Sequence, residues 1–449
     1  MTRIQGRFLS GSTMGHVVRM TLAGSVGVMF MFLIDAANLF WISLLGVERL
    51  IAALGFAWTI QFFAISVGIG FGVAATATVS HLIGRSDRAE ARRQASVCGI
   101  AAFVVQFCVA ALILWFRADL LALMGASGET ARAASRYLLI SVPSLPVMAL
   151  GMIGSAVLRA EGDGVRAMMV TVTSGLVSMV IDPVLIYGLG FGLDGAAFAL
   201  ATARVLSASL SVYFVVGHHD LVGRIGWRDF RRLLGPFVLV ALPVVLTQLS
   251  TPFGNYVVTT AISGFGDSAV AGWAVVARLT VLAFGGLFAL SAAIGGIFGQ
   301  NFGAVLYDRV VWVFRDALVF CLIYTLAAWG LLWLLTDTLT RAFSLDFEAA
   351  RVVAAFTHVG ALGWVFTGGM FVANAAFNNT GHPLWSTAWN WLRDGVLLFP
   401  AILLFSRGFA SPGAIYGQAM VSALVGIAAV LTCWCYLGRL GRKARPERG

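Results

Sequence analysis

Charge is what this chain has least of. Asp, Glu, Lys and Arg make up 11% of its 449 residues, where an ordinary soluble domain carries about 25%. A mean hydropathy of +0.91 leaves no sizeable stretch able to form a soluble domain. Acids are scarcer than bases, 20 against 30. The net charge of +10 is spread between apolar runs instead of gathering on one polar face, which excludes nucleic acid as the partner. Cysteine is also sparse. Cys98, Cys108, Cys321, Cys433 and Cys435 all lie inside apolar runs, where the thiol serves as a small hydrophobe, and no disulfide framework or metal motif emerges. There is no P-loop. Gly68-Ile69-Gly70-Phe71-Gly72 sits within an apolar run, not between a soluble strand and a helix, so ATP drive and dinucleotide chemistry drop out. No enzyme signature survives, and no organic cofactor is expected.

What the chain has in abundance is long apolar sequence. Twelve stretches, roughly 14–43, 48–81, 90–116, 131–160, 165–189, 194–217, 230–264, 268–302, 309–336, 347–379, 383–406 and 412–438, each exceed the span requirement. About 20 residues suffice to cross a hydrocarbon layer of about 30 Å. The expected fold class is therefore all-α and polytopic, with twelve transmembrane helices. Pro143, Pro146, Pro183, Pro243 and Pro252 interrupt the fourth, fifth and seventh stretches. Membranes tolerate such breaks where neighbouring helices satisfy the freed backbone groups. Basic residues fall 20 on the side holding both termini and 7 on the other, with Arg204, Arg278 and Arg393 inside spans. That asymmetry predicts a cell (inner) membrane protein with both termini cytoplasmic.

The chain repeats itself. His81-Leu82-Ile83-Gly84 and Gln300-Asn301-Phe302-Gly303 close the second and eighth stretches 219 residues apart, and the same offset pairs Ala52 with Ala271 and Gly162 with Gly381. Six spans repeated in one direction predict two parallel lobes, 1–220 and 221–449, joined through the basic stretch His218 to Arg232. Parallel repeats of this kind suit alternating access around a cavity between them.

Against so apolar a background the buried charges stand out. A charge at mid-membrane costs roughly 2.5–3.5 kcal/mol on insertion scales, so it marks function by default. Asp35 lies in the middle of the first stretch. Asp182 ends a polar stripe, Thr171, Ser174, Ser178 and Asp182, whose spacing puts all four on one helix face. Burial disfavours the ionised carboxyl, so both acids are candidates for taking up and releasing a proton or sodium ion. The alternatives are a structural carboxylate for Asp35 and an interhelical hydrogen-bond seam for the stripe. Arg204 and Arg278 read equally as counter-ions for the acids or as interfacial residues that snorkel. Arg393 and Asp394 are expected to pair with other helices rather than with each other. Gln61, Gln248, Asn255 and Asn374 are candidates for lining a substrate cavity.

Several segments carry a family likeness. Leu33-Ile34-Asp35, Gly46 to Ala53, Val67 to Gly84, Ala160-Glu161-Gly162-Asp163, Ile181-Asp182-Pro183, Gly192 to Ala197, Gly299 to Ala304, and Gly381 to Arg393 with Pro400 follow in order along the chain. It resembles the multidrug and toxic compound extrusion (MATE) family over nearly its whole length. The resemblance implies twelve helices in two six-helix lobes related by pseudo-twofold symmetry. It also implies a cation-coupled antiporter exporting organic, often cationic compounds, with Asp35 and Asp182 forming a first-lobe ion site. Three positions depart from the family pattern: Ser178 stands where an Asn is usual, Leu200 where a Thr is usual, and Arg19, Met20 and Thr21 occupy the place of an early proline. Fewer oxygen ligands favour a proton over sodium. The seventh and tenth stretches lack interior acids, which resembles the DNA-damage-inducible (DinF-like) branch. The expectation is thus an antiporter moving a small amphipathic cation out through the bilayer in exchange for H+ or Na+. The alternative is a lipid-linked oligosaccharide or precursor flippase of the same superfamily, for which only Arg204, Arg278 and Arg393 would supply a basic cavity.

Overall fold

A computed structural model describes residues 6–443, apart from the side chains of Asp35, Glu48 and Lys443. Among the described residues every regular element is helical. The long segments, in order, are α1 (Thr13–Ser43), α2 (Glu48–Gly84), α3 (Arg88–Trp115), α4 (Gly128–Glu161), α5 (Gly164–Gly188) and α6 (Gly192–His218). They continue as α7 (Trp227–Ser263), α8 (Asp267–Gly303), α9 (Tyr307–Leu334), α10 (Phe347–Gly360 followed by Trp364–Asn379), α11 (Pro383–Phe409) and α12 (Pro412–Lys443). Ten are individually long and apolar enough to cross a membrane, and α10 makes an eleventh, bent by 58° at its break. The twelfth segment, α11, is continuous but interrupted by a π turn, Leu392–Leu397, that carries Arg393 and Asp394.

The repeat reappears in the backbone. Helices α2, α3 and α5 begin 219 residues before α8, α9 and α11, and the short helix Arg117–Leu123 precedes Thr336–Ala342 by the same interval. Left-handed backbone recurs at that offset as well, at Ser86 and Val305, Gly125 and Ser344, and Gly162 and Gly381. Gly162 closes α4 with φ +94°, a conformation that costs glycine little.

Proline breaks some helices and not others. In α4, Pro143 sits inside a 3-10 turn, Val142–Ser144, and Pro146 opens the helical segment that follows it. In α5, Pro183 is followed by a π turn, Val184–Gly188. Helix α7 runs unbroken through Pro243 and Pro252. There the hydroxyls of Thr247 and Thr387 donate to the Pro243 carbonyl at 3.0 and 2.7 Å. The bend in α10 needs no proline. Gly360 and Gly363 lie tight against Ile415 and Ala419 of α12, and the chain turns between them.

Packing divides the chain into two compact units, Val26–Ala241 and Leu242–Gly449 with the residues up to Ser25. These bounds fall inside α1 and α7, whereas the repeat divides at 220/221. In the first unit, Gly151 and Gly154 of α4 meet Ser207 and Ser211 of α6, the close small-residue approach that membrane helices use when lipid supplies no hydrophobic drive. In the second, the segment before α1 is docked: Phe8 is 2% exposed, and its N–H donates to Gln300 Oε1 at 3.0 Å. Its carbonyl accepts from Asn301 and Arg309 at 3.3 and 3.0 Å.

Candidate acid site in the first unit

Helix α5 buries one face and exposes the other. Ser174, Ser178 and Asp182 are buried, while Leu176, Val180 and Val184 on the far side are exposed. The polar stripe read from the sequence therefore faces inward. Helix α1 runs alongside it. Met168 lies 3.9 Å from where a Cβ on Gly27 would be, Ile34 fills the space that a Cβ on Gly175 would need, and the Tyr187 hydroxyl donates to the Trp41 carbonyl. Close helix approach at Gly175 is what brings the two polar faces together.

Asp182 is wholly buried. Its only hydrogen-bond partner among the described residues is the Asn38 amide, whose Nδ2 donates to the two carboxyl oxygens at 3.5 and 3.4 Å. Among the described residues no guanidinium or ammonium pairs with it. Asn38 was not singled out in the sequence, although it stands three residues beyond Asp35 and so near the same face of α1. Asp35 itself occupies α1 between Ile34 and Asn38, in the stretch beside Ser174 to Asp182; its side chain lies outside the described residues. Below the acid, Gly195 at the start of α6 abuts the backbone of Leu185 and Ile186, where an added Cβ would come within 2.7 Å. The Gly192 to Ala197 motif thus supports the π turn that follows Asp182-Pro183.

The remaining sequence candidates are distributed over both units. Gln61 is buried in the first unit, where its Oε1 accepts from Arg204 at 2.8 Å and its Nε2 donates to the Ser141 hydroxyl at 3.2 Å. Arg204 also reaches the Ser141 carbonyl and Ser144 hydroxyl at 3.0 and 2.9 Å. Its partners are all neutral, and no carboxylate among the described residues acts as its counter-ion. Arg278 is exposed on α8. In the second unit, Gln248 is half-buried, Asn255 exposed and Asn374 buried with its Oδ1 unpartnered. The expected partners of Arg393 and Asp394 need correcting. They pair with each other, Nε to Oδ1 at 2.7 Å and Nη2 to Oδ2 at 2.8 Å. Among the described residues neither has another ion-pair partner, and the long guanidinium arm folds back onto the adjacent carboxylate.

A membrane protein of two repeated six-helix halves, with an uncompensated acid sheltered inside one of them, belongs by architecture to the secondary transporters. The MatE family model matches residues 24–184 and 243–401, and the chain belongs to the MATE family of transporters. It is 25% identical to a FAD transporter of Shewanella oneidensis, over 94% of both chains. It is 22% identical to the multidrug export protein MepA of Staphylococcus aureus, again over 94% of each. In three dimensions it is similar to the Vibrio cholerae MATE transporter VcmN, with a TM-score of 0.90 at 22% identity over 95% of this chain and 97% of that one. That likeness establishes the shared fold of two six-helix lobes.

Proposed function

We propose that this transporter is an antiporter that expels a small organic compound in exchange for a proton, with Asp182 and Asp35 as the coupling acids and Ser178 and Asn38 beside them. The observation that carries the reading is Asp182: fully buried, with a single amide for company and no cationic partner among the described residues. A lone carboxyl inside a membrane-spanning helix is expensive and is kept where it binds an ion. The reading takes H+ over Na+ because sodium wants several hard oxygens, and Ser178 offers one hydroxyl where the family resemblance leads one to expect an amide. Both termini belong in the cytoplasm of an inner-membrane protein, as the basic-residue asymmetry implies.

The cargo is read as an amphipathic organic cation, in keeping with the relative named as a multidrug export protein. One observation favours a second reading, an anionic flavin nucleotide. Arg204 is a buried guanidinium with neutral partners only, and another relative is named as a FAD transporter. Proteoliposomes given separate proton and sodium gradients, with a cationic dye or FAD as cargo, decide both questions. Exchange of one proton for one monovalent cation moves no net charge, so the drive is the proton gradient itself, about 1.4 kcal/mol or a tenfold accumulation per pH unit. Asp182→Asn should abolish that accumulation under a proton gradient while leaving cargo binding in place. Undiminished accumulation in the variant would sink the reading.

A further inference from the structure

The basic stretch that joins the repeats, His218 to Arg232, is pinned to α3 of the first unit. Leu221 is fully buried. The Gly223 N–H donates to the Ser96 hydroxyl at 3.0 Å, and Arg92 Nε donates to the Val222 carbonyl at 3.1 Å. Gly223 comes this close because it has no side chain; a Cβ there would lie 3.0 Å from the Arg93 nitrogen. Ion pairs continue the seam: Arg92 with Asp220 at 2.8 Å, Arg93 with Asp229 at 3.4 Å, and Arg232 with Glu90 at 3.1 Å. Asp220 and Asp229 are the only acids of the stretch, and both are taken.

Three arginines are left over. Arg224, Arg228 and Arg231 are exposed, and among the described residues none of them has an ion-pair or hydrogen-bond partner. They surround an aromatic pair. Trp227, 72% exposed, stacks on Phe230 with ring centroids 5.8 Å apart and planes inclined by 12°. Arg228 and Arg231, three residues apart, share a face of α7. That face continues through Gly235, which opens onto empty space, to Val238 and Leu239, 44% and 74% exposed. On a membrane-spanning helix such side chains meet acyl chains. Arg231 precedes Val238 by about 10 Å along the helix axis. The arginines therefore stand outside the hydrocarbon, at the depth of the lipid phosphates, where tryptophan also collects.

We infer that Arg224, Arg228, Arg231 and Trp227 form a seat for the headgroup of an acidic phospholipid, in the leaflet at this end of α7. A guanidinium donates paired hydrogen bonds to phosphate oxygens, and three of them without carboxylates leave an uncompensated positive patch. The exposed apolar face beyond Gly235 takes the acyl chains. A soluble acidic partner would leave that face unused, whereas a lipid uses both parts. Because Gly223 is fixed to α3, the backbone at Arg224 is in place before the lipid arrives, which lowers the ordering cost of binding. A lipid so held sets the depth of the start of α7 in the bilayer. Neither the coupling acids nor the cargo enters this inference.

The test counts bound lipid. Full-length protein in micelles is titrated with phosphatidylglycerol and followed by native mass spectrometry, with phosphatidylcholine and inorganic phosphate as separate arms. The wild type should retain phosphatidylglycerol in preference to phosphatidylcholine. Each arginine near an acidic headgroup is worth about fivefold in affinity, so R228Q/R231Q should lose about 25-fold. The charge-matched variant R439Q/R442Q, altered at two exposed positions near the end of α12, should lose far less. Equal losses in the two double variants would reveal diffuse attraction to a basic surface and overturn the inference. Displacement of the lipid by inorganic phosphate would overturn it too, by showing an anion site indifferent to lipid. Thermal unfolding gives the second readout. Phosphatidylglycerol should raise the melting temperature of the wild type but not that of R224Q/R228Q/R231Q, and without lipid the two should unfold alike. A lower lipid-free melting temperature in the triple variant would make the arginines structural and count against the seat.

Discussion

Asp163 closes the turn between α4 and α5, and its environment sets a clear pH signature. Burial works against its ionisation. Hydrogen bonds from His219 at 2.9 Å and from the Arg166 N–H at 3.1 Å, together with the Arg166 guanidinium and its charge, outweigh that and hold the carboxyl well below the usual range. A carboxyl depressed by folding contributes stability above its unfolded value, about 3.9, and loses it as pH falls through the folded one. Asp163→Ala should therefore cost about 1–3 kcal/mol, through the lost helix cap and its partners. In thermal unfolding the deficit should be constant from pH 5 to 8 and close only in stronger acid. A deficit that grows on acidification would contradict the assignment. Single residues were unevenly legible in the sequence. Asp182 and Ser178 announced themselves as polar positions in an apolar helix. Asn38 did not, because an amide near a span end is unremarkable until the neighbouring helix is seen to bring a carboxyl to it. The Arg393–Asp394 pair was misread because regular helix geometry separates adjacent side chains, whereas here both residues lie in a π turn and the guanidinium folds back.

Among the elements, the helices were legible and their interruptions were not. Length and hydropathy outline the spans, and the 219-residue repeat independently places their starts, since each half must meet the same bilayer thickness. Proline proved a poor guide to breaks: α7 runs unbroken through Pro243 and Pro252, while α10 bends at Gly360 and Gly363 without any proline. A π turn spans only five or six residues, too few to shift an apolar period measurably. The π turn after Asp182 nevertheless depends on a readable residue. Gly195→Val would drive a side chain into the Leu185–Ile186 backbone, an overpacking cost of about 1–3 kcal/mol. Thermal stability should fall accordingly, and gradient-driven export should fall further than stability alone explains, because the displaced turn adjoins Asp182. An unchanged melting temperature in Gly195→Ala, whose Cβ already meets that backbone, would argue against a steric cause.

For the whole molecule, the family fold was visible in the order of motifs, yet the membership of each unit was not. Sequence repeats record where a chain was duplicated. They say nothing about which side of a core a helix end is buried in, and that is decided by contacts such as Phe8 with Gln300, Asn301 and Arg309. The Gln300-Asn301 motif, noticed as a family mark, turns out to hold the segment ahead of α1. Phe8→Ala should remove about 3 kcal/mol or more, as for other buried aromatics. Thermal denaturation and faster protease cleavage ahead of Thr13 would check it, and an unchanged cleavage rate would show that the anchor lies elsewhere.

That division of the chain also governs the order of biogenesis. Translation delivers Phe8 and the first turns of α1 long before their binding partners in α8 and α9 leave the ribosome. The opening segment must wait, solvent-facing or chaperoned, through the synthesis of some three hundred residues. The Val26–Ala241 unit, for its part, is finished only when the start of α7 has emerged. A chain released at the midpoint would leave Phe8 without Gln300, Asn301 and Arg309.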